Sequence, residues 1–209
     1  SATSGEGAAE VKVTFSANAD TENNRVANIT VTTDADVATK SYTVVLTQAK
    51  APKAGTTILS LTLTETIPGW PSGGNSGDIS TANPSGMEAK FTSEGKEYTF
   101  YLGKGVGINT TGKYLWMPNP SYLGLPAVDG KKLVTVVATS SGGCSQSVKV
   151  GVFADNAGTT AVAGGENQTW ATWNADYTYA LTGTAAATQY YLCVSNKNGQ
   201  IVKLVLTYE

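Results

Sequence analysis

An all-β protein built around an antiparallel β-sandwich is predicted from three features of the sequence. Stretches in which apolar and polar residues alternate run through most of its 209 residues, and that period of two marks a strand with one buried face. Helix-period patterns of about ten residues or more, the length a stable helix needs, are nearly absent. Clusters of Asn, Asp, Gly and Pro punctuate the chain at short intervals and supply the turns.

The first strand expected is Val11–Ser16, where Val11, Val13 and Phe15 alternate with polar partners. Arg25–Thr32 and Ser41–Gln48 follow, joined by the Asn/Asp-rich turns Asn18–Asn24 and Asp34–Asp36. Three strands leave one apolar face to hide and need a second layer over it. Ala49–Thr56 carries Pro, Gly and small residues without a strand pattern. The chain therefore divides into a segment at 1–50, a linker at 51–56 and a domain at 57–209.

In that domain the strands expected are Ile58–Thr64, Met87–Thr92, Tyr98–Leu102, Tyr114–Met117, Leu133–Thr139, Ser147–Phe153, Tyr177–Thr182, Gln189–Ser195 and Ile201–Tyr208. So many strands with no helix between them call for antiparallel pairing in a sandwich or jelly roll. Asp129-Gly130, Ser141-Gly142-Gly143 and Asn198-Gly199 read as tight turns, the last as the strongest hairpin signal. Pro68–Gly86 and Asn156–Thr169 read as long loops, where a binding site is to be sought.

Composition removes several function classes. The chain has no histidine, so Ser-His-Asp, Cys-His and His-based zinc chemistry are excluded. Lys and Arg number 14 against 16 Asp and Glu, and Arg25 is the one arginine, which argues against a nucleic-acid footprint. Charged residues make up 14% against 41% hydrophobic, leaving a surface of Thr, Ser, Asn and Gly that suits a neutral, polyhydroxylated ligand. No run of about 18 apolar residues offers a transmembrane helix. The start at Ser1, without Met or an apolar leader, raises the expectation of a mature form with a lipid anchor or signal segment upstream.

Arg25-Val26-Ala27-Asn28-Ile29-Thr30-Val31 and the closing Val44-Val45-Leu46-Thr47-Gln48 resemble the C-terminal part of a BACON domain. That family consists of immunoglobulin-like modules found in surface proteins and glycan-degrading enzymes of Bacteroidetes. The second segment is similar, through Gly112–Met117, Gly130–Val136 and Asn198–Tyr208, to jelly-roll carbohydrate-binding-like modules of Bacteroidetes surface lipoproteins. The resemblance implies an extracytoplasmic setting, at the cell surface or in the periplasm of a Gram-negative bacterium. It also implies the option of a structural Ca2+, for which Glu65, Asp78, Asp155, Glu166 and Asp176 are the loop carboxylates.

Four tryptophans and ten tyrosines are the main functional clue, because flat rings stack on the apolar faces of sugars while polar groups bind their edges. Trp70 lies in a Pro/Gly loop, either contacting a ligand or plugging one end of the sandwich. Trp170 and Trp173, three apart on an extended segment, face opposite ways, so that one is core and the other exposed. Trp116 reads as packed, with Asn119 and Tyr122 following it at a rim. No pair of carboxylates marks a glycosidase, and Gly103–Gly107 reads as a turn or bulge rather than a nucleotide loop. Cys144 and Cys193 are either a disulfide or two buried thiols. The expectation is a non-catalytic glycan-binding module using Trp70, Trp170, Trp173, Asn119 and Tyr122 toward a polysaccharide or glycoconjugate. The alternative is a structural or adhesion spacer that binds protein or nothing.

Overall fold

A computed structural model describes residues 16, 18, 23–32, 41–48, 56–145 and 147–209. The strand expected over Val11–Ser16 lies almost wholly outside them, as do the Asp34–Asp36 turn and linker residues 51–55. The chain forms two compact units, Ser1–Ala54 and Gly55–Glu209.

In the first unit β1 (Arg25–Thr32) and β2 (Ser41–Gln48) pair antiparallel, with Arg25 opposite Gln48 and Thr32 opposite Ser41. The Gln48 amide donates to the Ser16 carbonyl at 3.0 Å. Val26, Tyr42, Val44 and Val45 are exposed on this hairpin.

The second unit runs β3 (Thr57–Thr62), β4 (Ser72–Gly73), α1 (Ser76–Ala82), β5 (Met87–Ser93), β6 (Lys96–Leu102), β7 (Gly107–Asn109) and β8 (Tyr114–Met117). It continues with β9 (Ser121–Gly124), β10 (Leu133–Ser140), β11 (Val148–Phe153), β12 (Gln168–Trp170), β13 (Asp176–Ala180), β14 (Tyr191–Ser195) and β15 (Gly199–Tyr208). A seven-stranded sheet has the order β13-β10-β15-β8-β7-β4, with β3 also paired to β15; a six-stranded sheet has the order β12-β11-β14-β9-β6-β5. All pairings are antiparallel except the short β4–β7 ladder. The two sheets form the expected all-β sandwich. Its core joins Leu59, Leu61, Leu115, Val136, Leu204 and Leu206 of one sheet to Phe100, Leu102, Leu123, Val150, Val152 and Leu192 of the other. Burying each such side chain stabilises by about 1.5–3 kcal/mol.

Alternation in sequence translates directly into these faces. In β8, Leu115 and Met117 are fully buried while Tyr114 and Trp116 are half-buried on the outer side. In β15 the phase slips: the register shifts between Thr139/Lys203 and Ser140/Ile201, so Ile201 and Leu204, three apart, both reach the core. A bulge absorbs the extra residue.

Two expectations are corrected. Asn198-Gly199 is not a hairpin turn, and neither Asp129-Gly130 nor Ser141–Gly143 joins paired strands: each lies on a connection between the two sheets. The strands flanking Asn198-Gly199 find their partners elsewhere, β14 with β11 and β9, β15 with β10, β3 and β8. Asn198 Oδ1 instead accepts the Asn119 N–H at 2.9 Å. A Cβ on Gly199 would stand 2.7 Å from Val194, so the arch needs glycine there. The stretch Pro68–Gly86 is not an open loop either, since it contains β4 and α1. Asn75 caps α1 by accepting from the Gly77 and Asp78 N–H groups, Ile79 points into the core, and Asn83 closes the helix. Buried Asn83 donates to the Gly103 and Val106 carbonyls and accepts from Gly86 N–H, fastening this segment to the turn after β6.

Candidate functional site

The three tryptophans expected to bind separate into two buried and one exposed. Trp70 is 6% exposed, packs on Phe100 at 5.3 Å between centroids and donates its indole N–H to the Lys90 carbonyl at 2.8 Å. It plugs the sandwich. Trp170 is 1% exposed, stacks on Tyr177 at 4.7 Å and donates to the Tyr179 hydroxyl. Neither ring offers a face to a ligand, because each is needed to fill its end of the core. Trp173 is 52% exposed and its indole N–H is tied to the Cys144 carbonyl at 2.8 Å; it lies in the turn after β12, which ends at Trp170, so its exposure comes from the turn and not from the expected alternation along an extended segment.

Tyr122 stands in a different setting, on the outer face of the six-stranded sheet. Directly paired residues of antiparallel strands share a face. The registers Glu88–Tyr101, Tyr101–Gly124, Gly124–Tyr191 and Tyr191–Phe153 therefore make one row across β5, β6, β9, β14 and β11. Tyr122 and Cys193 form the neighbouring outward pair. Tyr122 meets Tyr191 edge-on at 5.5 Å. Tyr191 donates its hydroxyl to Gln189, and Tyr101 is 38% exposed with its hydroxyl hydrogen-bonded to Glu88, whose carboxylate holds the phenol above its ordinary value.

A cavity of about 420 Å³ opens beside Tyr122. Pro120, Phe153, Asn156, Asn167, Cys193 and Ser195 contribute to its wall, and Lys104 supplies the charge. Asn119 is exposed next to it, joined to Pro120 by a cis peptide bond. Trp173 does not line it. A second cavity of about 320 Å³ lies past Tyr101, with Thr99, Gln189, Glu97 and Asp129 among its walls. Glu97 is held there by Lys90 at 3.1 Å.

The expected loop Asn156–Thr169 does reach the site. Asp155 anchors it by accepting from the Thr159 N–H at 3.0 Å, the Thr160 N–H at 2.8 Å and the Thr159 hydroxyl at 2.9 Å. These bonds, the Thr159 N–H foremost, draw its carboxyl down from 3.8 to about 2. The turn lies over Cys193, whose thiol is directed to the Asp155 carbonyl at 3.9 Å. Burial, helped by the Asp155 charge, pushes that thiol up to about 12. Cys144 is likewise a buried free thiol, so the two cysteines are unpaired.

The five carboxylates considered for Ca2+ are dispersed and locally engaged. Asp78 accepts from Asn75, Asp176 from Thr139 and Glu166 from the Gly164 N–H, Glu65 faces Lys113 at 3.5 Å, and Asp155 holds its turn. Among the described residues no three metal-ligating side chains converge.

Residues 1–49 match the BACON family. The matching model is described as "Putative binding domain, N-terminal", which is a binding-module and not a catalytic description. No curated protein matches the chain. The BACON segment ends before the sandwich begins, so the tyrosine face lies in the part of the chain outside the match.

Sequence reasoning named Tyr122 and Asn119, which stand at this face, and did not name Tyr101 and Tyr191. The outward phase of both was visible, since each alternates with buried neighbours. That they fall in one row with Tyr122 beside them depends on register between strands far apart in the chain, which a single sequence does not display.

Proposed function

We propose that the second unit is a non-catalytic glycan-binding module, acting outside the cytoplasm at the surface or in the periplasm of a Gram-negative bacterium. Its partner is a polysaccharide or glycoconjugate. The observation that carries this reading is the outward tyrosine group Tyr101, Tyr122 and Tyr191 beside a cavity walled by Asn156, Asn167 and Ser195. Rings supply stacking faces for the apolar side of a pyranose, and amides and hydroxyls meet its edges. The weakly charged surface favours a polyhydroxylated ligand over an ionic one. A shallow site of this kind binds weakly, and avidity on a surface raises the effective affinity.

Affinity electrophoresis against plant and host polysaccharides tests the assignment. Tyr122→Ala is expected to weaken retention about tenfold, equivalent to about 1.4 kcal/mol, while Trp173→Ala retains the wild-type mobility shift. Equal retention by wild type and Tyr122→Ala overturns the site. Release of reducing ends from a retained glycan overturns the non-catalytic reading, the two carboxylates to examine being Glu97 and Asp129 in the second cavity. The alternative of a protein-binding or spacer module rests on the exposed Val26, Tyr42, Val44 and Val45 of the BACON segment. Failure to retain any glycan favours it.

A further inference from the structure

The tyrosine face is longer than one sugar. Tyr101 and Tyr191 stand on β6 and β14 with β9 between them, two strand spacings or about 10 Å apart. The position between them is Gly124, buried under the Tyr101 and Gln189 side chains. A Cβ there would lie 2.7 Å from the Tyr101 Cβ and 3.1 Å from the Gln189 amide, so neither ring nor amide tolerates a side chain at that point. On the Phe153 and Tyr122 side opens the cavity of about 420 Å³; on the Tyr101 side opens the one of about 320 Å³. Each has its own aromatic wall and its own polar groups: Asn156, Asn167 and Ser195 in the first, Thr99 and Gln189 in the second. Tyr191 forms the ridge between them.

Resting on the glycan-binding reading, we infer that this face holds an internal run of a polysaccharide chain laid across the strands. The run occupies two subsites, one at Tyr122 and one at Tyr101, bridged over the Tyr191 ridge. A single pyranose fills one subsite only. A chain of several residues engages both, and its second contact adds without a second loss of translational freedom.

Isothermal titration of the full chain with size-graded oligosaccharides, from mono- to hexasaccharide, of the cello-, xylo-, manno- and N-acetylglucosamine series tests this. In a series that binds, affinity is expected to rise at least about tenfold from disaccharide to tetrasaccharide and then level off. Tyr101→Ala collapses the tetrasaccharide-to-disaccharide ratio to less than about threefold, Tyr101→Phe restores it, and Tyr101→Ala with Tyr122→Ala abolishes binding. Because Tyr101 is exposed, its variants are expected to keep the wild-type melting temperature, which separates lost binding from lost folding. Binding that is equally tight for disaccharide and hexasaccharide, or a length gain that survives Tyr101→Ala, overturns the two-subsite inference and leaves glycan binding standing. No binding to any series overturns both.

Discussion

At the scale of single residues, two tryptophans three positions apart have opposite fates, because one closes a paired strand and the other lies in the turn that follows it. Trp170 lies opposite Val148 in the β11–β12 pair, on the core side, where Tyr177 stacks on it and Tyr179 accepts its N–H. The Tyr179 hydroxyl in turn donates to the Val150 carbonyl at 2.7 Å, so a chain of bonds runs through the core. Burial raises the Tyr179 phenol far above its ordinary value and keeps that donor protonated. Trp170→Ala is expected to cost about 3–5 kcal/mol, read as a lowered midpoint in urea unfolding. Trp173→Ala, losing one part-buried hydrogen bond and little packing, is expected to shift stability by about 1 kcal/mol. The spacing pointed to one buried and one exposed ring on an extended segment, but the strand stops at Trp170, and an isolated segment reveals neither where its strand ends nor which strand it joins. Trp70 illustrates the same limit, because its Pro/Gly surroundings give no sign that Lys90, twenty residues later, offers its carbonyl.

At the scale of elements, the Asp155 turn links acid chemistry to the site. Its carboxylate holds the Thr159 and Thr160 N–H groups more strongly when ionised, and its folded pKa of about 2 lies below the ordinary 3.8. The sign follows: the turn has its full stabilisation above about pH 4 and loses it as pH falls through about 2. Asp155→Asn removes the charge at every pH. Because this turn lies over Cys193, the variant is expected to raise the rate of Cys193 modification by a disulfide reagent at least roughly tenfold at neutral pH. The same rate in variant and wild type would show that the turn does not shield the thiol. Strand existence was legible in sequence for the longer elements, β6, β10, β11 and β15 among them, because their alternation spans several residues. Helix α1 was not, since seven residues with Ile79 as their buried apolar anchor fall below the window in which a helical period is seen. Its start was written nonetheless in Asn75 and Asp78, a cap and a first-turn acid.

For the molecule as a whole, every member of the buried core cluster among the described residues lies between Leu59 and Tyr208. A chain of residues 55–209 is therefore expected to unfold cooperatively by itself, with a melting temperature equal to that of the same region in the full chain; a fragment without a cooperative transition would refute this. From β8 to β15 the connections pass from sheet to sheet except at the β11–β12 hairpin. Fold class was legible because alternation needs no partner to be seen. This topology was not, because turn residues such as Asn198-Gly199 look alike whether the next strand pairs with the last or arches over to the opposite layer. Among the described residues β5 is also outermost in the six-stranded sheet, and an outermost strand carries backbone groups that another strand can pair with. There the Trp70 indole already occupies the Lys90 carbonyl. A ring whose bulk seals the interior thus also ties its one donor to the backbone of an outermost strand, where a carbonyl already engaged is one acceptor fewer for a second strand to use.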